Sequence, residues 1–349
     1  MNKYFKILVI PALICVMSAA FFTVSIINSD KKADNIPIEK TKAVTAKNIN
    51  PLTGLEMDKS KLCDRPIAVM INNFHKGQPL HGISQADIAY ECLIEGGITR
   101  IVGIFKDISG VKSVGTVRSA RPYFINLAKS HDAIYFHLGG STIAYEILKT
   151  NYIDSVNFIT NEQYMWRDAE RRKNLGLEHS ALSSGELILK AVSDKKFRRT
   201  LADNYTYTPK FGDDSQVLSG SDANKLTVKF SGYKSTVFDY DAESKSYLIS
   251  QFGKPQFDAS ENKQNSKPNI IVIQTDIHNI GQTELVEMKL VGSGTGKYMS
   301  NGKIMDLTWS RNNDDEPIQY FTNNGKPLVM NPGKIYVCVI SKTASITVE

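Results

Sequence analysis

At 349 residues the chain is long enough for two domains, each with a core of its own. A hydrophobic share of 42% and a charged share of 22% are ordinary for a globular protein and exclude a disordered or collagen-like chain. The formal net charge of +6 is modest, two of its lysines (Lys3 and Lys6) precede an apolar run, and no long Lys/Arg run occurs, so no nucleic-acid partner is expected.

Residues 7–27 hold no charged side chain and are long enough to cross a bilayer as a helix. Lys3 and Lys6 lie ahead of them, and by the positive-inside rule the N-terminus stays in the cytoplasm while the bulk is exported. The competing reading is a cleaved signal segment, for which Ser18-Ala19-Ala20 supplies the small residues a peptidase takes. Length favours the anchor. Cys15 would suit lipid anchoring, but Ala12-Leu13-Ile14 lacks the small residue expected just before it. The expectation is a cell-membrane protein, single-pass, with its folded part outside the cytoplasm; a secreted or lipid-anchored form is the alternative. Outside this segment only Cys63, Cys92 and Cys338 remain, too few and too scattered for a metal site or a disulfide framework.

Residues 28–50 are polar without a lasting period and read as a flexible tether. Folded material is expected as an N-terminal α/β domain over 51–205, a linker over 206–225 and a β-rich domain over 226–349. Ile67-Ala68-Val69-Met70-Ile71 is a continuous apolar strand, which implies burial on both faces. Residues 87–95 alternate, with Ile88, Tyr90, Cys92 and Ile94 on one face and Ala89, Glu91, Leu93 and Glu95 on the other. Gly96-Gly97 turns the chain into a hairpin whose second arm is 99–107. A two-residue turn would set Leu93 opposite Arg100, placing Arg100 diagonally between Glu91 and Glu95. Such a carboxylate–guanidinium–carboxylate row is either a solvated ion-pair ladder or a pair of carboxylates poised for acid/base work.

The richest stretch runs from Gly110 to Ser141. Pro122 is suited to the first position of a helix, with Arg121 at its cap and Arg118 and Ser119 just upstream. Ala133 to His137 reads as a buried strand, Gly139-Gly140 as a turn, and Ser141 or Thr142 as the cap of a second helix. Two helix N-termini with unpaired N–H groups, beside two guanidinium groups, are the chemistry of an anion site. The bland alternative is solvated arginines and a plain glycine turn.

Further on, 154–159 reads as a strand, Trp166-Arg167-Asp168 follows, Arg171-Arg172-Lys173 reads as a solvated helix face, and His179 as a residue near a helix start. Residues 185–201 read as an amphipathic helix. Beyond the linker the texture is β, with turn signals at Asn301-Gly302, Asn324-Gly325 and Pro332-Gly333. Gly292-Ser293-Gly294-Thr295-Gly296 lacks the following helix that a phosphate cradle needs and reads as a hairpin loop. Asp239-Tyr240-Asp241 lacks the glycine and spacing of a calcium loop. No cofactor and no metal are expected.

Asn50-Pro51-Leu52-Thr53-Gly54, the run from Arg65 to Asn73, Ala86-Asp87-Ile88-Ala89-Tyr90-Glu91, Glu95-Gly96-Gly97-Ile98-Thr99-Arg100, Val117-Arg118-Ser119-Ala120-Arg121-Pro122 and His137-Leu138-Gly139-Gly140-Ser141 resemble the N-terminal domain of the YerB-like lipoproteins of Gram-positive bacteria. Trp166-Arg167-Asp168 and His179 fit the same pattern, and residues 303–309 with Asn331-Pro332-Gly333-Lys334 resemble that family's C-terminal domain. The resemblance implies an α+β envelope protein, N-terminal mixed α/β and C-terminal mostly β, behind the N-terminal segment. It implies little chemistry, because the family is classed as of unknown function. Cys15 departs from the family's lipoprotein pattern.

Two functions follow from the residues. A binding module would grip an anionic cell-wall polymer or envelope protein through Arg100, Arg118, Ser119, Arg121, Gly139, Gly140, Ser141, Arg167 and Asp168. A glycan-cleaving enzyme would use Glu91 and Glu95, assisted by His137 or His179. Glycoside hydrolysis needs carboxyls roughly 5 to 10 Å apart, whereas residues four apart on one strand lie about 13 Å apart, which weakens that pair. Serine hydrolysis through Ser141 lacks a Gly-x-Ser-x-Gly elbow. The binding reading is preferred.

Overall fold

The strand Ile67–Asn72 (β1) is buried at every position, as its unbroken apolar run requires. In a computed structural model that describes residues 48–349, apart from 204, 207, 208 and 213–217, β1 lies inside an 11-stranded sheet. Ile88–Leu93 (β2) and Thr99–Phe105 (β3) are the two arms of the expected hairpin; β3 lies between β1 and β2 and is antiparallel to both. On the other side of β1, Ile134–His137 (β5) and Ser155–Asn157 (β6) run parallel to it. A small separate sheet joins Val114–Gly115 (β4), Trp166–Arg167 (β7) and Ala181–Ser183 (β8).

The large sheet does not stop at the family's N-terminal part. The strand Ile335–Ser341 lies parallel to β2, pairing Glu91 with Cys338, and leads on to Asn269–Thr275, Gly292–Ser300 and Lys303–Arg311. A second sheet, built on Lys225–Lys229, Ser235–Asp241 and Ser246–Gln251, packs across it. Phe238, Ile249 and Val228 from that second sheet share one core with Ile71, Ile101 and Tyr336. The architecture is α+β, mixed at the N-terminal side and mostly β at the C-terminal side. Lys47–Glu349 is one compact unit.

The opposite face of the large sheet is covered by helices. Pro122–Ser130 (α1) starts with Pro122 at its first position and Arg121 at the cap, as the proline's fixed φ favours. Its Phe124, Leu127 and Ala128 are fully buried against Met70, Val102 and Tyr135. Truncating a ring such as Phe124 there costs about 3–5 kcal/mol. Thr142–Lys149 (α2) is capped by Ser141, whose hydroxyl accepts from the Ala144 N–H at 3.2 Å. Ala169–Leu175 (α3) and Gly185–Asp194 (α4) complete the helices, α4 packing through Ile188, Ala191 and Val192 on the other face of the large sheet, the one it shares with the second sheet. Helix α4 is shorter than its sequence period implies, ending at Asp194 before Lys196 takes a positive φ.

Two other local expectations are corrected. The glycine run from Gly292 is strand rather than loop: Gly292 pairs with Arg311 and Gly296 with Leu307. A Cβ on Gly296 would come within 2.1 Å of the Val272 carbonyl oxygen, so close strand approach, not a turn, calls for the glycine. Arg171 is not on a solvated face but 8% exposed, donating to the carbonyls of Gly77, Pro79 and His179. Cys92 and Cys338 are buried free thiols and Cys63 is exposed. Among the described residues no helix is long and apolar enough to cross a membrane. The apolar segment 7–27, with Cys15 and Ser18-Ala19-Ala20, lies outside them, as does most of the expected tether.

Candidate functional site

In an open sheet the crevice beyond the carboxyl ends of parallel strands is where ligands gather. Asn72 ends β1, His137 ends β5 and Asn157 ends β6, and because β3 runs the other way Arg100, its second residue, sits opposite Asn72. Over this end the segment after β4 lies alongside the segment after β5. The Leu138 N–H donates to the Arg118 carbonyl, the Ala120 N–H to that of Gly139, and the Ser141 N–H to that of Ala120. Gly139, at φ +77°, is fixed further by its N–H to the Asn157 side chain at 3.0 Å. Arg118, Ser119, Arg121, Gly139, Gly140 and Ser141 are thus one structural group, with both helix starts in it.

Charge gathers with them. Arg121 forks onto Glu95, Nε to Oε1 at 2.5 Å and Nη2 to Oε2 at 2.8 Å. Arg100 is 6% exposed and donates to the Ser119 carbonyl at 2.9 Å. Burial, followed by the Arg121 and Arg118 charges, lowers the Arg100 pKa. Arg118 reaches the loop Leu177–His179, donating to the Glu178 carbonyl at 2.8 Å and to its carboxylate at 3.3 Å. Its Nε is buried and makes no hydrogen bond within the protein. Arg167 donates to the Leu177 carbonyl at 2.7 Å. Arg100, with Arg121 and Arg118 acting on it, thus belongs to a group of three guanidiniums beside two carboxylates. Burial raises the Glu95 carboxyl, but Arg121 outweighs it and the net shift is downward. Arg118, the largest influence on Glu178, holds that carboxyl below its ordinary value.

The histidines are structural in their contacts. The His137 Nδ1 bonds to the Gly139 carbonyl at 2.7 Å, and burial lowers its pKa to about 4. The Asn72 amide donates to His179 Nδ1 at 3.0 Å, which leaves the His179 Nε2 proton facing Glu178 at 3.4 Å. Burial, then Arg118, lowers the His179 pKa. Neither histidine bonds to Ser141. Asp168 caps α3, accepting from the Arg171 N–H at 2.8 Å.

The expected row of Glu91, Arg100 and Glu95 does not form. The hairpin loop is one residue longer than assumed: the Ile94 N–H bonds to the Ile98 carbonyl, so Leu93 pairs with Thr99 and Arg100 with Cys92. A slip of one residue sends a side chain to the other face. Glu91 therefore points away from Arg100, into the core between the two sheets, with no exposed surface. Its Oε1 accepts from Asn73 at 2.7 Å and Thr99 at 2.6 Å and meets Lys234 Nζ at 3.1 Å. Its Oε2 accepts from Thr236 at 2.8 Å and Tyr336 at 2.9 Å. Glu91 and Glu95, the candidate catalytic pair, are thus a core carboxylate and a carboxylate forked by arginine, on opposite sides of the sheet.

Sequence reasoning missed Lys234, Asn73, Thr236 and Tyr336, the partners of Glu91. It also missed Glu178, which bonds Arg118, and the rings Phe74, Tyr233 and Phe252. None had a local signature except Phe252-Gly253, a bulky residue where a tight turn prefers asparagine. Two sizeable cavities lie elsewhere: one of about 640 Å³ near Lys297, Asp306 and Lys326, another of about 840 Å³ near Lys129, Arg198 and Glu316. No expected site residue lines either. Among the described residues no cluster of His, Cys, Asp or Glu suits a metal ion.

Residues 52–198 match the family described as "Protein of unknown function (DUF3048) N-terminal domain", and residues 226–337 match its C-terminal domain. The chain is 28% identical over 332 residues to a Bacillus subtilis (strain 168) protein named "Putative lipoprotein YerB", covering 94% of each. A crystal structure of the YerB protein from Bacillus subtilis superposes with a TM-score of 0.75 at 27% identity, covering 86% of this chain and 99% of that one.

Proposed function

This chain belongs to the DUF3048 family, in its YerB-like form, and from that premise we propose that it is a membrane-tethered envelope protein acting outside the cytoplasm, which binds an anionic envelope component. The tether in this reading is the apolar segment 7–27, and the lipoprotein name of the Bacillus subtilis relative supports the same location. The observation that carries the binding reading is the surplus of guanidinium groups over carboxylates at the strand ends. Arg121 and Arg100 hold the site's frame. Arg118 and Arg167 are the groups that meet the ligand, since their partners are the carbonyls of the exposed residues Glu178 and Leu177 and one carboxylate whose side chain is 67% exposed. A carboxylate or phosphate on the ligand takes the place of the Glu178 carboxylate at the Arg118 fork.

The test is equilibrium binding of inorganic phosphate and of carboxylate-bearing cell-wall polymer to the full chain, wild type against Arg118→Ala with Arg167→Ala. Loss of about tenfold or more in affinity, about 1.4 kcal/mol, is the expected result. Equal binding by the double variant removes the proposal.

A further inference from the structure

Next to Arg118 and Glu178 the surface changes from charged to aromatic. Phe74 follows β1, and its ring stacks on His179 with centroids 6.0 Å apart and planes 23° apart. His75 lies 4.0 Å from Phe74, Tyr233 lies 6.5 Å from it in a stacked arrangement, and Phe252 lies 6.1 Å from Tyr233 and 5.9 Å from His75. The Tyr233 hydroxyl and His75 Nδ1 are 2.9 Å apart. Three distant chain segments thus bring rings to one place, where Tyr233 is 50% exposed. Loose rings on a surface need no account; a cluster assembled from three turns does.

Phe252 supplies a second, independent observation. It sits with Gly253 in the two-residue loop between Gln251 and Lys254, at φ +54°. Asparagine is the residue such a loop favours, and for a bulky ring a positive φ is an outlier. Strain of this kind is kept where something else requires the side chain. Beneath the ring Lys234 Nζ lies 4.7 Å from its centroid, and Lys234 is itself held by Glu91 in the core. The patch therefore stands on a rigid floor. At its other end Lys76, exposed, acts electrostatically on both Glu178 and His179 and adds to the cationic side.

From this juxtaposition we infer that the anionic component is an acidic oligosaccharide, with one sugar ring packed on Tyr233 and Phe252 and the acid group of a neighbouring unit held by Arg118. Pyranose rings present apolar C–H faces that suit aromatic rings, while a lactyl carboxylate or a phosphate suits a guanidinium fork. A purely inorganic anion would leave the rings unused, and a neutral sugar would leave the arginine unused. The inference rests on the reading of Arg118 as an anion contact.

The experiment titrates the full chain with three probes: inorganic phosphate, a neutral N-acetylglucosamine oligomer, and an oligomer of the same sugar alternating with N-acetylmuramic acid, which carries a lactyl carboxylate. The variants are Tyr233→Ala, Phe252→Asn and Arg118→Ala. Asparagine relieves the turn, so its loss of binding is not a loss of folding. The acidic oligomer is expected to bind about tenfold tighter than either other probe, and Tyr233→Ala and Phe252→Asn to lose that factor while phosphate binding stays unchanged. Wild-type affinity for the acidic oligomer in both ring variants overturns the saccharide assignment, even where Arg118→Ala weakens phosphate. Unchanged binding of every probe in Arg118→Ala overturns the anion reading itself.

Discussion

Two carboxylates of this protein meet a cation from a distant part of the chain, and they do opposite things. Glu91 and Lys234 are both without exposed surface, and the carboxylate is saturated by amide, hydroxyl and ammonium groups from both sheets. Glu178, in a loop of three residues, is 67% exposed at its side chain, and Arg118 grips it at 3.3 Å. In the interior a charge is costly unless every lone pair is met, so the Glu91 group acts as a clasp that joins the family's N-terminal and C-terminal parts. At the surface solvent screens the pair, and a competing anion can take the carboxylate's place at little cost. Burial, more than the identity of the charges, separates a structural ion pair from a binding one.

Breaking the interior pair should have the largest effect. Glu91→Ala or Lys234→Met, each leaving its partner buried alone, is expected to lower stability by about 3–5 kcal/mol. Urea unfolding at constant m-value measures this, and a loss below about 1 kcal/mol would contradict the clasp. Replacing both at once with apolar residues should cost less than either single change.

Acid should act next, through His137. Its folded-state pKa, about 4 against an ordinary 6.5, means the unfolded chain takes up a proton first as pH falls. The stability it contributes is present above pH 6.5 and is lost on the way down to about pH 4, by roughly 3 kcal/mol at about 1.4 kcal/mol per pH unit. His137→Asn should flatten the acid limb of the stability profile over that window; an unchanged slope would show that other groups carry it.

Between these extremes stands the half-buried fork of Arg121 on Glu95. Arg121→Ala is expected to cost about 2 kcal/mol, since two charge-assisted hydrogen bonds are lost. The smallest stability effect belongs to Arg118→Ala, under about 1 kcal/mol, although it should remove most anion affinity. A large stability loss at Arg118, with binding intact, would erase the contrast between the two carboxylates.

Short-range rules were enough for much of this architecture. Pro122 at a helix start, Ser141 as a cap, the alternation along β2 and the β-rich C-terminal texture all follow from backbone sterics, hydrogen-bonding groups and a period of two, which act within a few residues. The gathering of Arg118 and Arg121 with Gly139-Gly140-Ser141 was legible for the same reason, because one strand and one helix separate them. What stayed hidden depended on length and distance. One extra loop residue at Gly96-Gly97 moved Arg100 to the far side of the sheet from Glu91. Tyr336 reaches Glu91 because a strand from the C-terminal part adds itself to β2, and Lys234 because the second sheet packs across the large one. Which charge is buried, and beside which partner, is a property of packed layers rather than of any local stretch, and so only the tertiary structure decided it.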